Sequence, residues 1–141
     1  MSIHRPSGPR YTTAVRVRWS DLDAYGHVNN ARALTLLEEA RVDWLFTEAT
    51  RRGATALTGG MVVSRLSIHY KHSITFGPPV TVSMGVVELK NVSTTIDYVV
   101  TAEDRVAITA TTQLVPVDPV NWRPRRWDTA ERAFLTEYLA Q

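Results

Sequence analysis

Residues 31–50, Ala-Arg-Ala-Leu-Thr-Leu-Leu-Glu-Glu-Ala-Arg-Val-Asp-Trp-Leu-Phe-Thr-Glu-Ala-Thr, decide the fold. Ala33, Leu34, Leu37, Ala40, Arg41, Trp44 and Leu45 recur at the three- and four-residue spacing of one helix face. Leu36, Val42 and Phe46 widen that face until apolar side chains cover much of the circumference. Such a helix has to be covered on more than one side. Asn29 or Asn30 stands where an N-cap is needed, and Arg51-Arg52-Gly53 puts cations and a glycine where the helix should stop.

Working outward, Thr12 to Trp19 alternates, with Val15, Val17 and Trp19 on one side, as a half-buried strand does. After Gly59-Gly60 the spacing predicts strands over Met61 to Ser73, Val80 to Leu89, Ser93 to Ala102 and Arg105 to Val117. Phe76-Gly77-Pro78-Pro79 and Glu103-Asp104 are short turns, and short turns join antiparallel neighbours. Asp118 to Pro124 is a proline-punctuated exit. Asp128 to Ala140 can form a last helix, with Ala130, Phe134, Leu135 and Tyr138 on one side.

The expectation is an α+β domain whose long antiparallel sheet wraps round one central helix. Met1 to Tyr11 reads as a flexible tail, residues 12–118 as the domain, and 119–141 as a C-terminal extension with a short helix. A lone sheet of this kind exposes its edge strands, so edge pairing into a homodimer or homotetramer is expected.

Composition narrows the functions. The chain has 141 residues, enough for one core. It has no cysteine, which excludes a thiol nucleophile, a disulfide framework and a zinc–thiolate site. A formal charge of +2 is too small an excess to argue for nucleic acid. No apolar run is long enough to span a membrane and the N-terminus does not resemble a signal peptide, so a cytoplasmic protein is expected.

Ser20-Asp21-Leu22-Asp23-Ala24-Tyr25-Gly26-His27-Val28-Asn29-Asn30 concentrates two carboxylates, an imidazole and two amides directly before the helix. The first turn of a helix offers unpaired N–H groups and the positive end of the helix dipole. That end can polarise a carbonyl and hold the oxyanion formed when it is attacked, while a nearby carboxylate attacks or activates water. Two plainer readings stand beside this one. The Asp-x-Asp-x-x-Gly spacing is that of an EF-hand start, but Tyr25 and Arg32 fall where calcium needs oxygen ligands. The aspartates and asparagines can also serve only as turn and cap residues.

Trp19 to Arg32, followed by Leu37-Glu38-Glu39-Ala40-Arg41, resembles the signature of the 4-hydroxybenzoyl-CoA thioesterase-like branch of the hotdog superfamily. The likeness continues weakly through Ile68-His69-Tyr70-Lys71-His72-Ser73-Ile74-Thr75-Phe76-Gly77 and covers roughly Tyr11 to Asp118. The resemblance implies a hotdog fold and hydrolysis of acyl-CoA thioesters without a metal or other cofactor. The family's catalytic aspartate matches Asp23, and its carbonyl-polarising N–H groups match those near Val28 and Asn29. His27 matches a histidine given a catalytic part in the related plant acyl-carrier-protein thioesterases. Tyr25 stands where those enzymes carry asparagine, so their full set of catalytic groups is not expected here. Asp21 reads as loop structure or a partner acting through Asp23.

Other candidates are weaker. Tyr25, Lys90, Arg125 and Arg126 are candidate contacts for substrate or coenzyme A, with a solvated basic segment as the plainer reading. Trp122 and Trp127 can stack on an adenine or dock the C-terminal segment. Glu38 and Glu39 are rival carboxylates, more simply read as surface partners of Arg41 and Arg32. His69 and His72 are three apart on an expected strand and should face opposite ways, which argues against a shared metal. Two other functions fit the same fold: a module that binds acyl-CoA without hydrolysing it, and an enoyl-CoA hydratase or dehydratase.

Overall fold

A computed structural model describes residues 8–140. Five strands, β1 (Tyr11–Val15), β2 (Met61–Tyr70), β3 (Val80–Leu89), β4 (Thr94–Ala102) and β5 (Arg105–Pro116), form one sheet. Their order is β1-β3-β4-β5-β2, and every pairing is antiparallel. The helix between β1 and β2 starts as α1 (Asn30–Val42), passes through a π-helical stretch (Asp43–Glu48) and ends as α2 (Ala49–Arg51). A third helix, α3 (Thr129–Glu137), closes the fold.

Both ends of the long helix are built by local chemistry. Asn29 is the N-cap: its Oδ1 accepts the N–H of Ala31 at 2.8 Å. At the far end Gly53 takes a φ of +94°, while Ala54 N–H reaches the Ala49 carbonyl and Gly53 N–H the Thr50 carbonyl. That pair of bonds is the Schellman arrangement, and the left-handed backbone it requires suits glycine.

The core lies between α1 and the concave face of the sheet. Ala33, Leu36, Leu37, Ala40 and Trp44 from the helix meet Val82, Met84, Ile96, Tyr98, Val100 and Leu114 from the strands. Trp44 is fully buried, stacked on Tyr11 with ring centroids 6.1 Å apart and edge-on to Tyr138 at 5.0 Å. Glu39 does not pair along the helix; it bonds Arg18 just beyond β1. Arg41 turns inward and donates to the Tyr98 hydroxyl at 3.1 Å.

Several segment boundaries read from sequence shift. β1 ends at Val15, and a 3-10 turn over Trp19–Asp21 leaves Trp19 75% exposed although the alternation placed it with buried Val17. Of the expected tail, residues 1–7 lie outside the described residues. Arg10 and Tyr11 belong to the fold, with Arg10 paired to Asp97 at 2.9 Å and Tyr11 opening β1. The C-terminal extension is part of the core: Phe134 and Leu135 are buried, and Leu139 bridges to Val86 on β3. Among the described residues no helix is long and apolar enough to cross a membrane.

Strands β1 and β2 are the two edges of the sheet, and β2, of ten residues, is the longer. Counting register from β5, its concave-face residues are Val63, Leu66, Ile68 and Tyr70, paired with Leu114, Thr112, Ala110 and Ile108. Val63 and Leu66 are 46% and 42% exposed, so apolar side chains that face the core side have nothing over them in a single chain.

Candidate active site

The loop between β1 and α1 is a small hairpin. Leu22 and Val28 form a bridge, Asp23 N–H donates to the His27 carbonyl at 2.8 Å, and Gly26 N–H returns to the Asp23 carbonyl at 3.1 Å. Gly26 has φ +78°, a conformation in which a side chain would be strained. The hairpin is tied to the β2–β3 connection by a His27–Thr75 bridge and by Val28 N–H on the Ile74 carbonyl at 2.8 Å.

This geometry holds Asp23 by one oxygen only. Its Oδ1 accepts the N–H groups of Tyr25 at 2.8 Å and His27 at 3.2 Å. Oδ2 has no hydrogen-bond partner among the described residues, and the side chain is half-buried at the wall of a cavity of about 230 Å³. His27, Asn30, Tyr70, His72 and Ile108 line the same cavity. A carboxylate fixed through one oxygen and open at the other is arranged to attack a carbonyl or to take a proton from water.

Asp21 does not share that cavity. It is buried, its Oδ2 accepts the Arg18 N–H at 2.8 Å, and its carbonyl accepts the Asn29 N–H at 2.8 Å. It builds the turn that delivers the loop. His27 lines the cavity, but its backbone and not its ring bonds the Asp23 carboxylate.

The N–H groups expected to polarise a carbonyl already have backbone partners. Those of Val28 and Asn29 are already bonded, to Ile74 and Asp21, and cannot receive a ligand oxygen as well. Ala31 N–H is taken by the cap. The donors at the helix start with no partner among the described residues belong to Asn30 and Arg32, and Asn30 lines the Asp23 cavity.

The expected coenzyme A contacts fall elsewhere. Ile108 lines the cavity, and β5 runs six residues on to Leu114 and eight to Pro116. Leu114 pairs with Thr94, which pairs with Leu89 beside Lys90, while Pro116 accepts the Arg125 N–H. Lys90, Arg125 and Arg126 therefore sit at the other end of the sheet, about 20 to 27 Å along the strand. Arg125 is also committed, bonding both carboxylate oxygens of Glu131 at 2.7 and 2.8 Å. That bond holds its guanidinium pKa above the usual value. Lys90 pairs with Glu88 at 3.0 Å, whereas Arg126 is exposed. Trp127 docks its segment, donating Nε1–H to the Ser93 carbonyl, while Trp122 is exposed.

Tyr25, at the loop tip, is 84% exposed. The rival carboxylates Glu38 and Glu39 open onto a separate groove with Thr13 to Arg16. His69 stays on β2 opposite Thr109, but the strand ends at Tyr70, so His72 lies beyond it and reaches the cavity. Sequence reasoning passed over Tyr70 and His72 as site residues; their one signal was position at a strand end facing the loop.

A single helix cradled by a five-stranded antiparallel sheet, with a carboxylate hairpin at the helix start, is the architecture of hotdog-fold thioesterases. The chain belongs to the thioesterase-like superfamily, whose family model matches residues 17–133. It is similar to the long-chain acyl-CoA thioesterase FadM of Escherichia coli (strain K12), 35% identical over 91 residues, 64% of this chain and 69% of that protein. Among solved structures it resembles a thioesterase from Thermus thermophilus complexed with coenzyme A and Zn. That likeness has a TM-score of 0.72 and 30% identity, covering 88% of this chain and 90% of that one. A predicted thioesterase from Bacillus stearothermophilus shares the fold at a TM-score of 0.82 and 24% identity, over 94% of this chain and 98% of that one.

Proposed function

We propose that the protein hydrolyses acyl-CoA thioesters to the free acid and coenzyme A, with Asp23 as the reacting carboxylate. One observation carries the reading: Asp23 is pinned by Oδ1, its Oδ2 has no partner among the described residues, and it shares a cavity with Asn30, whose N–H at the start of α1 also has none among them. The thioester carbonyl would lie against that N–H, which stabilises the negative charge that develops on its oxygen. Oδ2 then either deprotonates a water that attacks the carbonyl carbon, so that the acid forms as the thiolate leaves, or attacks the carbon itself, expelling the thiolate and leaving an acyl–aspartyl anhydride that water hydrolyses to the acid and free Asp23. The activity of FadM and the coenzyme A held by the Thermus structure support the choice of acyl-CoA.

The cavity is smaller than the roughly 300–1,000 Å³ typical of small-molecule sites. The exposed concave face of β2 lies beside it, because Tyr70 ends β2 and lines the cavity. A second copy pairing along β2 would cover Val63 and Leu66 and complete the walls.

Thiol release from short, medium and long acyl-CoAs and one aroyl-CoA is the test. Turnover of at least one, with a dependence on chain length, is the expected result. Binding of acyl-CoA without release would replace the reading with a binding module. Addition of water to an enoyl-CoA, with no thiol released, would replace it with a hydratase.

A further inference from the structure

Asn30 lines the cavity, and the aim of its N–H is set by the peptide planes on either side of it. The plane before Asn30 N–H is held because its carbonyl, that of Asn29, accepts the N–H of Ala33 at 3.0 Å. The plane after it, between Asn30 and Ala31, is gripped at both ends. Its N–H goes to Asn29 Oδ1 at 2.8 Å, and its carbonyl accepts the Tyr70 hydroxyl at 2.7 Å. Tyr70 comes from the last residue of β2, 40 positions along the chain, where it is anchored opposite Ile108 in the sheet.

We infer that Tyr70 is a positioning residue for catalysis: its hydroxyl fixes the first turn of α1 against the sheet and so aims the Asn30 N–H at the thioester oxygen. This rests on the thioesterase reading of the site. The bond is not needed to complete the helix, since a carbonyl in its first turn is ordinarily paired with an N–H one turn on. It is a second bond to that oxygen, added from the one strand whose end borders the cavity. Partial desolvation holds the Tyr70 phenol above its usual pKa, and a phenol is in any case protonated, and so a donor, at neutral pH. Its ring meanwhile forms cavity wall beside Asn30 and Asp23.

Tyr70→Phe removes one oxygen and leaves the ring in place. The expected result is a kcat about 10- to 100-fold lower with KM changed by less than about threefold, because the misaimed donor acts in the transition state more than in binding. A merely structural bond would lower stability and leave the per-folded-molecule kcat alone. The second readout is the infrared carbonyl stretch of a ¹³C-labelled acyl-CoA bound to Asp23→Asn, in which the N–H donation lowers the frequency. Adding Tyr70→Phe should return part of that shift. An unchanged kcat and an unchanged stretch would overturn the inference while leaving the thioesterase reading intact. If the wild-type chain released no thiol from any acyl-CoA, the thioesterase reading would fail and this inference with it.

Discussion

Asp23→Asn is expected to abolish thioester hydrolysis, with kcat lower by about 10³-fold or more, in a protein that folds as before. The geometry separates the two oxygens of this carboxylate. Asparagine can keep an oxygen where Oδ1 accepts the N–H groups of Tyr25 and His27, so the hairpin that carries it survives. What it cannot supply is a lone pair at the Oδ2 position, where an amide NH₂ is neither a nucleophile nor a base. Thiol release with the best acyl-CoA, beside a melting curve within about 2 °C of wild type, checks both halves. Near wild-type turnover would sink the role of Asp23. The obvious substitutes, Glu38 and Glu39, open onto a different groove. His27→Ala should lose less, because its ring makes no bond to the carboxylate, and an equal loss would give that ring a part in the chemistry.

The second large effect concerns stability. Glu131 is 0% exposed, and its carboxylate accepts two bonds from Arg125 and one from the Asp128 N–H that opens α3. Asp128 returns a bond to the Glu131 N–H, so the same side chain closes a capping box. Glu131→Ala leaves the Arg125 guanidinium, only a quarter exposed, with main-chain carbonyls alone and leaves the Asp128 N–H open. Breaking a buried pair from one side costs about 3–5 kcal/mol, which for a domain of this size lowers Tm by roughly 10–17 °C. Chemical and thermal denaturation measure it. A loss below about 1 kcal/mol would mean that desolvating the pair cancels its attraction. The turnover of the folded fraction should not change, because this cluster lies at the end of the sheet away from Asp23.

These two predictions mark what the residues disclosed unaided. The long helix and all five strands were legible because their side chains are partitioned between core and solvent with periods near 3.6 and 2. Asp23 stood out as a candidate because an uncommon set of groups precedes a helix start. Trp19 misled because alternation records where side chains point only while the strand lasts. The Asp21 carboxylate pulls the Arg18 N–H into a 3-10 turn and ends it. Val28 and Asn29 were offered as polarising donors because a helix start presents several N–H groups. Only the long-range bonds to Ile74 and Asp21 show which are spent. Arg125 and Lys90 looked available because charge is visible in a sequence and its partner is not. The bond from Tyr70 to Asn30 could not be read from the sequence because it is a 2.7 Å contact across 40 residues, and nothing local announces it.

The uncovered face of β2 has a consequence for how the reaction should scale. If each cavity borrows a wall from a neighbour, the catalytic unit is a pair of chains in equilibrium with separate ones, and mass action governs its abundance. Rate divided by protein concentration should then be flat at micromolar levels and fall toward nanomolar ones. Excess Asp23→Asn chains, inactive themselves but with an intact β2, should restore the rate per wild-type chain. A rate strictly proportional to concentration throughout, in a chain that sediments as a monomer, would show that one copy suffices.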